Sequence, residues 1–323
     1  MNLHENKNLF AQAIEMTALQ LQIKREFVEK DYWICRSLQL LAIADTEHHA
    51  VFKGGTSLTK AYGIGSRFSE DIDVAIVDAG KMTGNHLKSI IKSIAHTMSL
   101  GLDEVYKNGL TSKGSHYYKA FYAYPIVSDI PNLSSAFKYG EILLEINSFA
   151  NPHPWEMRQI SSFIYDFLNK QGRKDIIDEY GMSTFSLAIL DKRRTMVEKI
   201  VSLIRCSLGD NYMVALNAHI RYFYDLYYLS KDKECEKYLL SSAFCNDFAD
   251  LLNHDRITFQ KPDGWQHKNM KQSPMLYDFS YLWKQLKSTY IRELPELSYK
   301  EIPSAVDVEK TMKNIVEIIY QNS

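Results

Sequence analysis

Residues 52–76 place a glycine pair, two hydroxyl side chains and two aspartates within one short stretch of the chain. The stretch opens with Gly-Gly-Thr-Ser at 54–57 and closes with Asp71-Ile72-Asp73, which leads into the apolar residues 74–77. A strand alternates its side chains with a period of two, so Asp71 and Asp73 point to one face. Two carboxylates on one strand face, beside a glycine-rich turn, predict a site for a divalent metal and a phosphate.

Composition limits the class of protein. The 323 residues are 46% hydrophobic and 12% aromatic, which is enough for a packed core. A net charge of −1 argues against a uniformly basic nucleic-acid binder, although 38 Lys and Arg leave room for a local basic groove. The four cysteines form no C-x-x-C pair or zinc pattern, which indicates free thiols in a reducing compartment. Without a signal-peptide pattern or an apolar run near the ~20 residues that span a bilayer, we expect a cytoplasmic protein with no membrane association.

Periodicity predicts an α+β fold. Strand and helix patterns mix up to about residue 155, and helical periodicity dominates from about residue 186. Leu187 and Leu190 fit the start of one of these helices, and Pro295 marks a break between two others. The predicted strands are 51–53, 71–77, 116–127 and 141–149, and the predicted first helices are 8–22 and 26–44. We therefore expect a mixed sheet flanked by helices in residues 1–155, then a mainly helical domain in residues 156–323, with the site where the two domains meet.

The acid pair and the glycine turn together suggest a site that binds a metal ion and a phosphate, and neither feature suggests it alone. Two neighbouring carboxylates repel each other unless a cation lies between them, and Mg²⁺ prefers carboxylate oxygens together with phosphates. A turn that opens a helix offers free N–H groups to an anion, although this one lacks the Walker A pattern. A third carboxylate would complete a two-metal site. Glu145 fits by its strand face, and Glu141 competes with it. The plain alternatives are exposed strand-end acids and an ordinary strand–turn–helix connection.

Three further motifs complete a pattern over residues 29–229. They are Glu29-Lys-Asp-Tyr-Trp33, Thr195-Met-Val-Glu-Lys199 and Arg221-Tyr-Phe-Tyr-Asp-Leu-Tyr-Tyr-Leu229. With the Gly-Gly-Thr turn and the R-F-S-E-D-I-D run of residues 67–73, this order resembles the AbiEii/AbiGii toxins, a family of the DNA polymerase β-like nucleotidyltransferase superfamily. No such match extends over residues 230–323. The resemblance makes the first predicted domain a nucleotidyltransferase catalytic domain and the second a helical domain that completes the site.

The resemblance also implies roles for individual residues. Asp71 and Asp73 would hold Mg²⁺ or Mn²⁺, with Glu145 added to the metal set because of its strand face. Lys199 would meet the triphosphate, and Asp225 matches a functional acidic position that Arg221, one helical turn earlier, can pair with. Without the resemblance, a helix lysine and a surface ion pair would be the plainer interpretation. The implied catalytic set is Asp71, Asp73, Glu145, Lys199 and Asp225, and the implied nucleotide-binding set is Gly54, Gly55, Thr56, Ser57, Arg67, Lys199 and Arg221.

The leading hypothesis is therefore a Mg²⁺-dependent nucleotidyltransferase that transfers NMP from an NTP to an acceptor hydroxyl and releases pyrophosphate. The resemblance implies a toxin of a bacterial toxin–antitoxin or phage-defence system, with a cognate antitoxin encoded by an adjacent gene. The acceptor hydroxyl could belong to the 3′ end of tRNA, to a protein or to a small molecule. Two alternatives stay open: an antibiotic nucleotidyltransferase, and a nucleotide-binding module without turnover. Features compatible with RNA are Lys107, Lys113 and Lys119 with Tyr117, Tyr118 and Tyr122, and the basic run 192–194.

Overall fold

The computed structural model describes residues 1–69, 71–128 and 139–321. The chain divides into two compact units, of which the first comprises residues 1–61 and 68–190 and the second comprises residues 62–67 and 191–323. Residues 156–190, which the sequence prediction places in the second domain, lie in the first unit. Glu70 of the R-F-S-E-D-I-D motif lies outside the described residues.

The first unit is built on a mixed sheet of eight strands within the described residues. Strands β1 and β2 lie at its middle, in the order β3-β5-β6-β2-β1-β8-β7, and β4 pairs with β5. The β2–β6 and β1–β8 pairs are parallel, and the others are antiparallel. The strands are β1 Ala50–Lys53, β2 Asp71–Ile76, β3 Asp103–Val105, β4 Ser112–Lys113, β5 Tyr117–Ala123, β6 Glu141–Asn147, β7 Trp155–Ile160 and β8 Phe185–Leu190.

Helices cover the sheet of the first unit. The helix α2 packs against α1, α4 and α5 and against strands β6 and β8, and most of its apolar residues are buried. Amphipathic α4 begins at an N-cap, Thr83, whose side chain accepts a hydrogen bond from the His86 N–H. The helices are α1 Lys7–Leu21, α2 Arg25–Ala44, α3 Gly54–Tyr62, α4 Gly84–Met98, α5 Phe163–Lys170 and α6 Lys174–Glu179, with short 3-10 turns at Leu3–Glu5 and Ala79–Lys81.

The two acids of the 29–33 motif hold this unit together from inside α2. Asp31 accepts hydrogen bonds from Lys60 Nζ of α3 at 2.5 Å and from the Phe163 N–H at the start of α5 at 2.7 Å. Burial raises the pKa of Asp31, against the pull of Lys60. Glu29 accepts a hydrogen bond from the Val127 N–H at 2.8 Å. The motif that the family resemblance singles out is thus structural, because it fixes α3 and the chain beyond β5.

The second unit contains helices only, within the part of it that the structure describes. Helix α9 is central, since it packs against α7, α10, α13 and α14. Its apolar face meets a buried aromatic core that includes Phe223, Trp283 and Tyr290. The helices are α7 Lys192–Ser207, α8 Tyr212–Ala218, α9 Ile220–Lys231, α10 Lys233–Leu239, α11 Ser242–Thr258, α12 Pro274–Tyr277, α13 Phe279–Leu297 and α14 Ala305–Gln321, with 3-10 turns at Trp265–His267 and Met270–Gln272.

The α+β prediction, a mixed sheet flanked by helices with a helical C-terminal region, is confirmed. Two local predictions are wrong. Leu187 and Leu190 lie in strand β8. The last four residues of β8 form a buried, continuous apolar run, which periodicity cannot separate from a helix. Pro295 lies inside α13, near its end, where the missing N–H costs one hydrogen bond and the helix still continues to Leu297. No helix among the described residues is long and apolar enough to cross a bilayer.

Candidate active site

A row of four charged residues crosses one face of the sheet in the first unit. In register, Lys53 of β1 lies opposite Asp73 of β2, Asp73 lies beside Glu145 of β6, and Glu145 lies opposite Lys119 of β5. Register partners on adjacent strands project from the same face. Asp71, two residues before Asp73, shares that face, as the alternation of the strand predicts. The predicted acid pair therefore lies at the centre of the sheet, with Lys53 on one side and Glu145 followed by Lys119 on the other.

The glycine turn is fitted closely against this acid pair. Helix α3 begins at Gly54, directly after β1, and Gly54 has a φ of +82°. A Cβ at this position would lie 2.2 Å from Oδ2 of Asp73. The Thr56 hydroxyl donates to the carbonyl of Asp71 at 2.7 Å, and the Ser57 hydroxyl donates to the carbonyl of Gly54 at 2.9 Å. Both hydroxyls thus fasten the turn to itself and to β2, and Gly55 follows within the first turn of α3.

Replacing Gly54 by alanine is expected to displace the Asp73 carboxylate. The new methyl group would overlap Oδ2 of Asp73, and the positive φ adds roughly 1–2 kcal/mol of backbone strain for a non-glycine residue. We expect Mn²⁺ affinity, measured by electron paramagnetic resonance, to fall about tenfold or more because a metal site tolerates only small ligand shifts. Gly172→Ala is the matched control, since Gly172 has a φ of +72° and nothing within 4 Å of an added Cβ. Equal Mn²⁺ affinities in the two variants would contradict this assignment.

The candidate third carboxylates each have a lysine partner. Glu145 pairs with Lys119 Nζ at 2.6 Å and accepts a hydrogen bond from the Tyr117 hydroxyl at 3.1 Å. Glu141 pairs with Lys107. Across the described residues, no group of three or more His, Cys, Asp or Glu side chains is arranged to hold a metal ion. Asp71 and Asp73 offer the oxygen donors that a hard divalent cation prefers, so the pair fits Mg²⁺ or Mn²⁺, and the third ligand stays a prediction.

In the second unit, Asp225 of α9 binds two cations. Nε and one terminal nitrogen of Arg67 donate to the two carboxylate oxygens at 2.7 Å each, and Lys199 Nζ of α7 lies 2.8 Å from Oδ2. All three side chains are about 95% buried. Burial opposes the charged carboxylate, but Arg67 and Lys199 outweigh it and lower the pKa of Asp225 to about 2. Lys199 Nζ also lies 4.1 Å from the centre of the Tyr222 ring. Asp225 is therefore ionised at any physiological pH.

The predicted residues thus fall into two groups, one in each unit. The acid pair, residues 54–57 and Glu145 lie in the first, and Arg67, Lys199, Arg221 and Asp225 lie in the second. Arg67, predicted at the nucleotide, is a buried partner of Asp225. Arg221 lies one turn before Asp225 on α9, and its pairing with Asp225 stays a prediction.

Sequence reasoning missed Lys53 as a neighbour of the acid pair. In the sequence, Lys53 is marked only by its position directly before Gly54. Its place beside Asp73 becomes visible only when the antiparallel register of β1 and β2 is known.

The residues named as compatible with RNA divide between the two faces of the sheet. Tyr117 and Lys119 lie on the face of the acid pair, where they contact Glu145. Tyr118 and Tyr122 lie on the other face, with their hydroxyl oxygens 2.5 Å apart. These two tyrosines line a depression of about 570 Å³ together with Lys113. Only the first set therefore lies on the same sheet face as the predicted metal site.

Two of the three residues in the basic run at the start of α7 form ion pairs within the second unit. Lys192 Nζ lies 2.8 Å from carboxylate oxygens of both Asp232 and Glu234. Arg193 pairs with the N-cap residue Asp191 at 2.6 Å. Asp191 and Asp232 are the N-caps of α7 and α10, so these pairs favour a structural role for Lys192 and Arg193 over RNA binding.

A mixed sheet with a glycine turn and an aspartate pair on its central strand, in a chain with a helical C-terminal region, is the arrangement of a nucleotidyltransferase. The family model described as nucleotidyl transferase AbiEii toxin, type IV TA system, matches residues 36–308. The chain belongs to this family, which confirms the resemblance drawn from the motifs and the nucleotidyltransferase activity it implies. Membership in a type IV toxin–antitoxin family also implies a cognate antitoxin.

Two solved structures align with most of this chain at low sequence identity. MenT4, a nucleotidyltransferase toxin from Mycobacterium tuberculosis, is 13% identical, with 95% of this chain and 98% of MenT4 covered and a TM-score of 0.51. JHP933 from Helicobacter pylori is 16% identical, with 92% and 95% covered and a TM-score of 0.46. A search of curated protein sequences found no match. At such identities the likeness to MenT4 shows the fold, and the chemistry has to be argued from the residues of this chain.

Proposed function

We propose that this chain transfers a nucleoside monophosphate from a Mg²⁺-bound NTP to a hydroxyl of an RNA acceptor, with the 3′ end of tRNA as the leading candidate, and that this modification is its toxic activity. The observation that carries the proposal is the fit of Gly54 against the Asp73 carboxylate. It joins the N-terminus of α3, which suits a phosphate, to an acid pair, which suits a metal.

The residues of the first unit would bind and orient the nucleotide. Backbone N–H groups at the start of α3 are suited to the triphosphate, because the first turn of a helix has no internal acceptors for them. Asp71 and Asp73 would hold the metal. Glu145 would be the third ligand, with the metal ion replacing Lys119 as its partner. A bound metal would neutralise part of the triphosphate charge and lower the pKa of the attacking hydroxyl. The hydroxyl oxygen then bonds to the α-phosphorus, its proton passes to solvent, and the bond between the α-phosphorus and the oxygen that bridges to the β-phosphate breaks, so that pyrophosphate leaves.

Lys199 would supply a further positive charge to the triphosphate. A lysine is a compact point charge with three donors, which suits a group whose charge is spread over several oxygens. In the structure its ammonium is held on Asp225, so its position is fixed before any nucleotide binds. Preorganised charge of this kind binds the triphosphate without the cost of ordering the side chain.

Two observations support RNA as the acceptor. Tyr117 and Lys119 lie on the same sheet face as Asp71 and Asp73. An aromatic ring and an ammonium are the groups that stack on bases and contact phosphates in single-stranded RNA. Since Lys119 is paired with Glu145, a metal that takes Glu145 would leave the lysine for the acceptor.

Label transfer tests the proposal directly. The protein is incubated with each α-labelled NTP, Mg²⁺ and total RNA, and in parallel with a protein extract. We expect label in RNA, no label with EDTA, and recovery with Mn²⁺. Asp71→Ala should lose the transfer, while Asp103→Ala, which removes an exposed aspartate from β3, should keep it. Label in protein or in a small molecule would show that the acceptor is not RNA. No label in any of these fractions, or full transfer by the Asp71→Ala variant, would contradict the proposal.

A further inference from the structure

Residues 62–67 belong to the second unit, although the chain on both sides of them belongs to the first. Both backbone polar groups of Ser66 are held there. Its N–H donates to the Tyr224 hydroxyl at 2.8 Å, and its carbonyl accepts from the Tyr299 N–H at 2.9 Å and from the Ser298 hydroxyl at 3.0 Å. We call Tyr224, Ser298 and Tyr299 the Ser66 clamp. One part of the clamp comes from α9 and the other from the chain after α13, so the C-terminal third of the protein contributes to it.

The clamp is packed as well as hydrogen-bonded. Gly65 has a φ of +79°, and a Cβ there would lie 3.2 Å from the Tyr224 ring. Arg67 forms an isolated antiparallel bridge with Ser298. Tyr224 is fully buried. The backbone on both sides of Ser66 is therefore fixed against α9 and residue 298, which determines where the Arg67 side chain begins.

Arg67 and Lys199 share one carboxylate. Arg67 donates to both carboxylate oxygens of Asp225 in a bidentate arrangement, and Lys199 pairs with Oδ2 alone. A bidentate guanidinium–carboxylate pair needs a fixed direction of approach, because its two donors lie in one plane. If Arg67 shifts, Asp225 can turn fully to the lysine. The carboxylate would then neutralise the Lys199 ammonium more completely.

We propose that Tyr224 and Ser298 are positioning residues for nucleotide binding: through Ser66 they hold Arg67 on Asp225, so that Lys199 keeps its charge available for the triphosphate. The inference rests on the proposed function, in which Lys199 meets the triphosphate. Arg67 is then a second positioning residue, acting through Asp225. A role also follows for part of residues 230–323, since the Ser298 hydroxyl and the Tyr299 N–H complete the clamp.

The test separates KM for the NTP from kcat. Tyr224→Phe removes the acceptor of the Ser66 N–H, and Ser298→Ala removes one donor to its carbonyl. Each is expected to raise KM for the labelled NTP about fivefold at saturating RNA, the effect of one weakened hydrogen-bonded contact, with kcat within about twofold. A change in KM at constant kcat marks the loss of binding that ground state and transition state share. Direct titration with the four NTPs and Mg²⁺ should show the same shift in Kd.

Tyr290→Phe is the matched control. Tyr290 is also fully buried in the second unit, and its hydroxyl donates to the carbonyl of Pro303 at 2.9 Å rather than holding the backbone of Ser66. It should lose as much thermal stability as Tyr224→Phe while keeping the wild-type KM. Equal KM values in Tyr224→Phe, Ser298→Ala and Tyr290→Phe would overturn the inference, as would a fall in kcat at unchanged KM.

A double-mutant cycle tests whether the clamp acts through Arg67. In an Arg67→Lys background, which cannot form the bidentate pair, Tyr224→Phe should raise KM no further. Independent, additive effects would overturn the inference. A wild-type protein that neither binds nor transfers any NTP would instead remove the proposed function, and the inference with it. Wild-type transfer with unshifted KM in both clamp variants removes the inference alone.

Discussion

Replacing Asp73 by asparagine is expected to lower the rate of nucleotidyl transfer by about a thousandfold, a loss of ~4 kcal/mol in transition-state stabilisation. Asp73 faces Gly54 on one side and Glu145 on the other, so its carboxylate is the acid nearest both the turn and the candidate third ligand. Asparagine keeps the shape but removes the charge, and a neutral amide binds a divalent cation far more weakly than a carboxylate. The rate of label transfer to RNA under single-turnover conditions measures the effect.

Mn²⁺ titration of the same variants decides which carboxylate is the third ligand. Asp73→Asn should abolish high-affinity Mn²⁺ binding. Glu145→Gln should weaken Mn²⁺ binding. Glu141→Gln removes the other β6 glutamate that pairs with a lysine, here Lys107, and should leave Mn²⁺ binding unchanged. The reverse order would transfer the role to Glu141. Lys119→Met should strengthen Mn²⁺ binding, because the lysine competes with the metal for Glu145. Full transfer activity in Asp73→Asn would show that this strand does not carry the reaction.

The parts of the candidate site that depend on local pattern could be predicted from the sequence. The shared face of Asp71 and Asp73 follows from the period of a strand, and the turn at Gly54 follows from glycine next to hydroxyl residues. Both patterns are complete within about twenty residues of chain. The structure adds the reason for the glycine, since only the fold shows that the Asp73 carboxylate occupies the space of a Cβ.

Partners distant in the chain could not be predicted in the same way. Arg67 and Asp225 are 158 residues apart, and nothing in either neighbourhood indicates the other. The sequence suggested Arg221 for Asp225, because an i, i+4 pair on a helix is the only pairing that a single segment displays. Lys119 and Glu145 are neighbours because of the register between strands β5 and β6, and neither strand's own sequence specifies that register. Pairings of this kind need tertiary structure.

The edge of the sheet shows the same limit for the fold. Strand β7 has mostly half-exposed and exposed residues, so its sequence lacks a clean alternation. Strand β8 is buried over its last four residues, and the periodicity of that apolar run predicts a helix. Each becomes a strand by pairing with the other and, for β8, with β1. Tertiary context overrides local preference in both cases.

Replacing Asp225 by asparagine is expected to reduce the free energy of unfolding by roughly 3–5 kcal/mol, because two buried cations, Arg67 and Lys199, lose their shared counter-charge. Urea unfolding at pH 7 measures the loss.

The same carboxylate sets part of the acid stability. Its pKa falls from a usual value of 3.8 to about 2 in the folded protein, so its contribution is complete above pH 4 and is lost as the pH falls through 2. A shift of this size corresponds to roughly 2–3 kcal/mol. The wild-type protein should lose this amount between pH 4 and 2, and Asp225→Asn should lack that portion of the decline.

Asp255→Asn provides the control of opposite sign. Asp255 also pairs with a partly buried arginine, Arg205 at 2.6 Å, but burial raises the pKa of Asp255. Protonation of Asp255 therefore favours the folded state, and its removal should make the acid decline steeper where that of Asp225 makes it shallower. Identical pH profiles for the two variants would show that the Arg67–Asp225–Lys199 cluster does not hold an ionised carboxylate against burial. The second unit would then lack the preorganised charge on which the role of Lys199 depends.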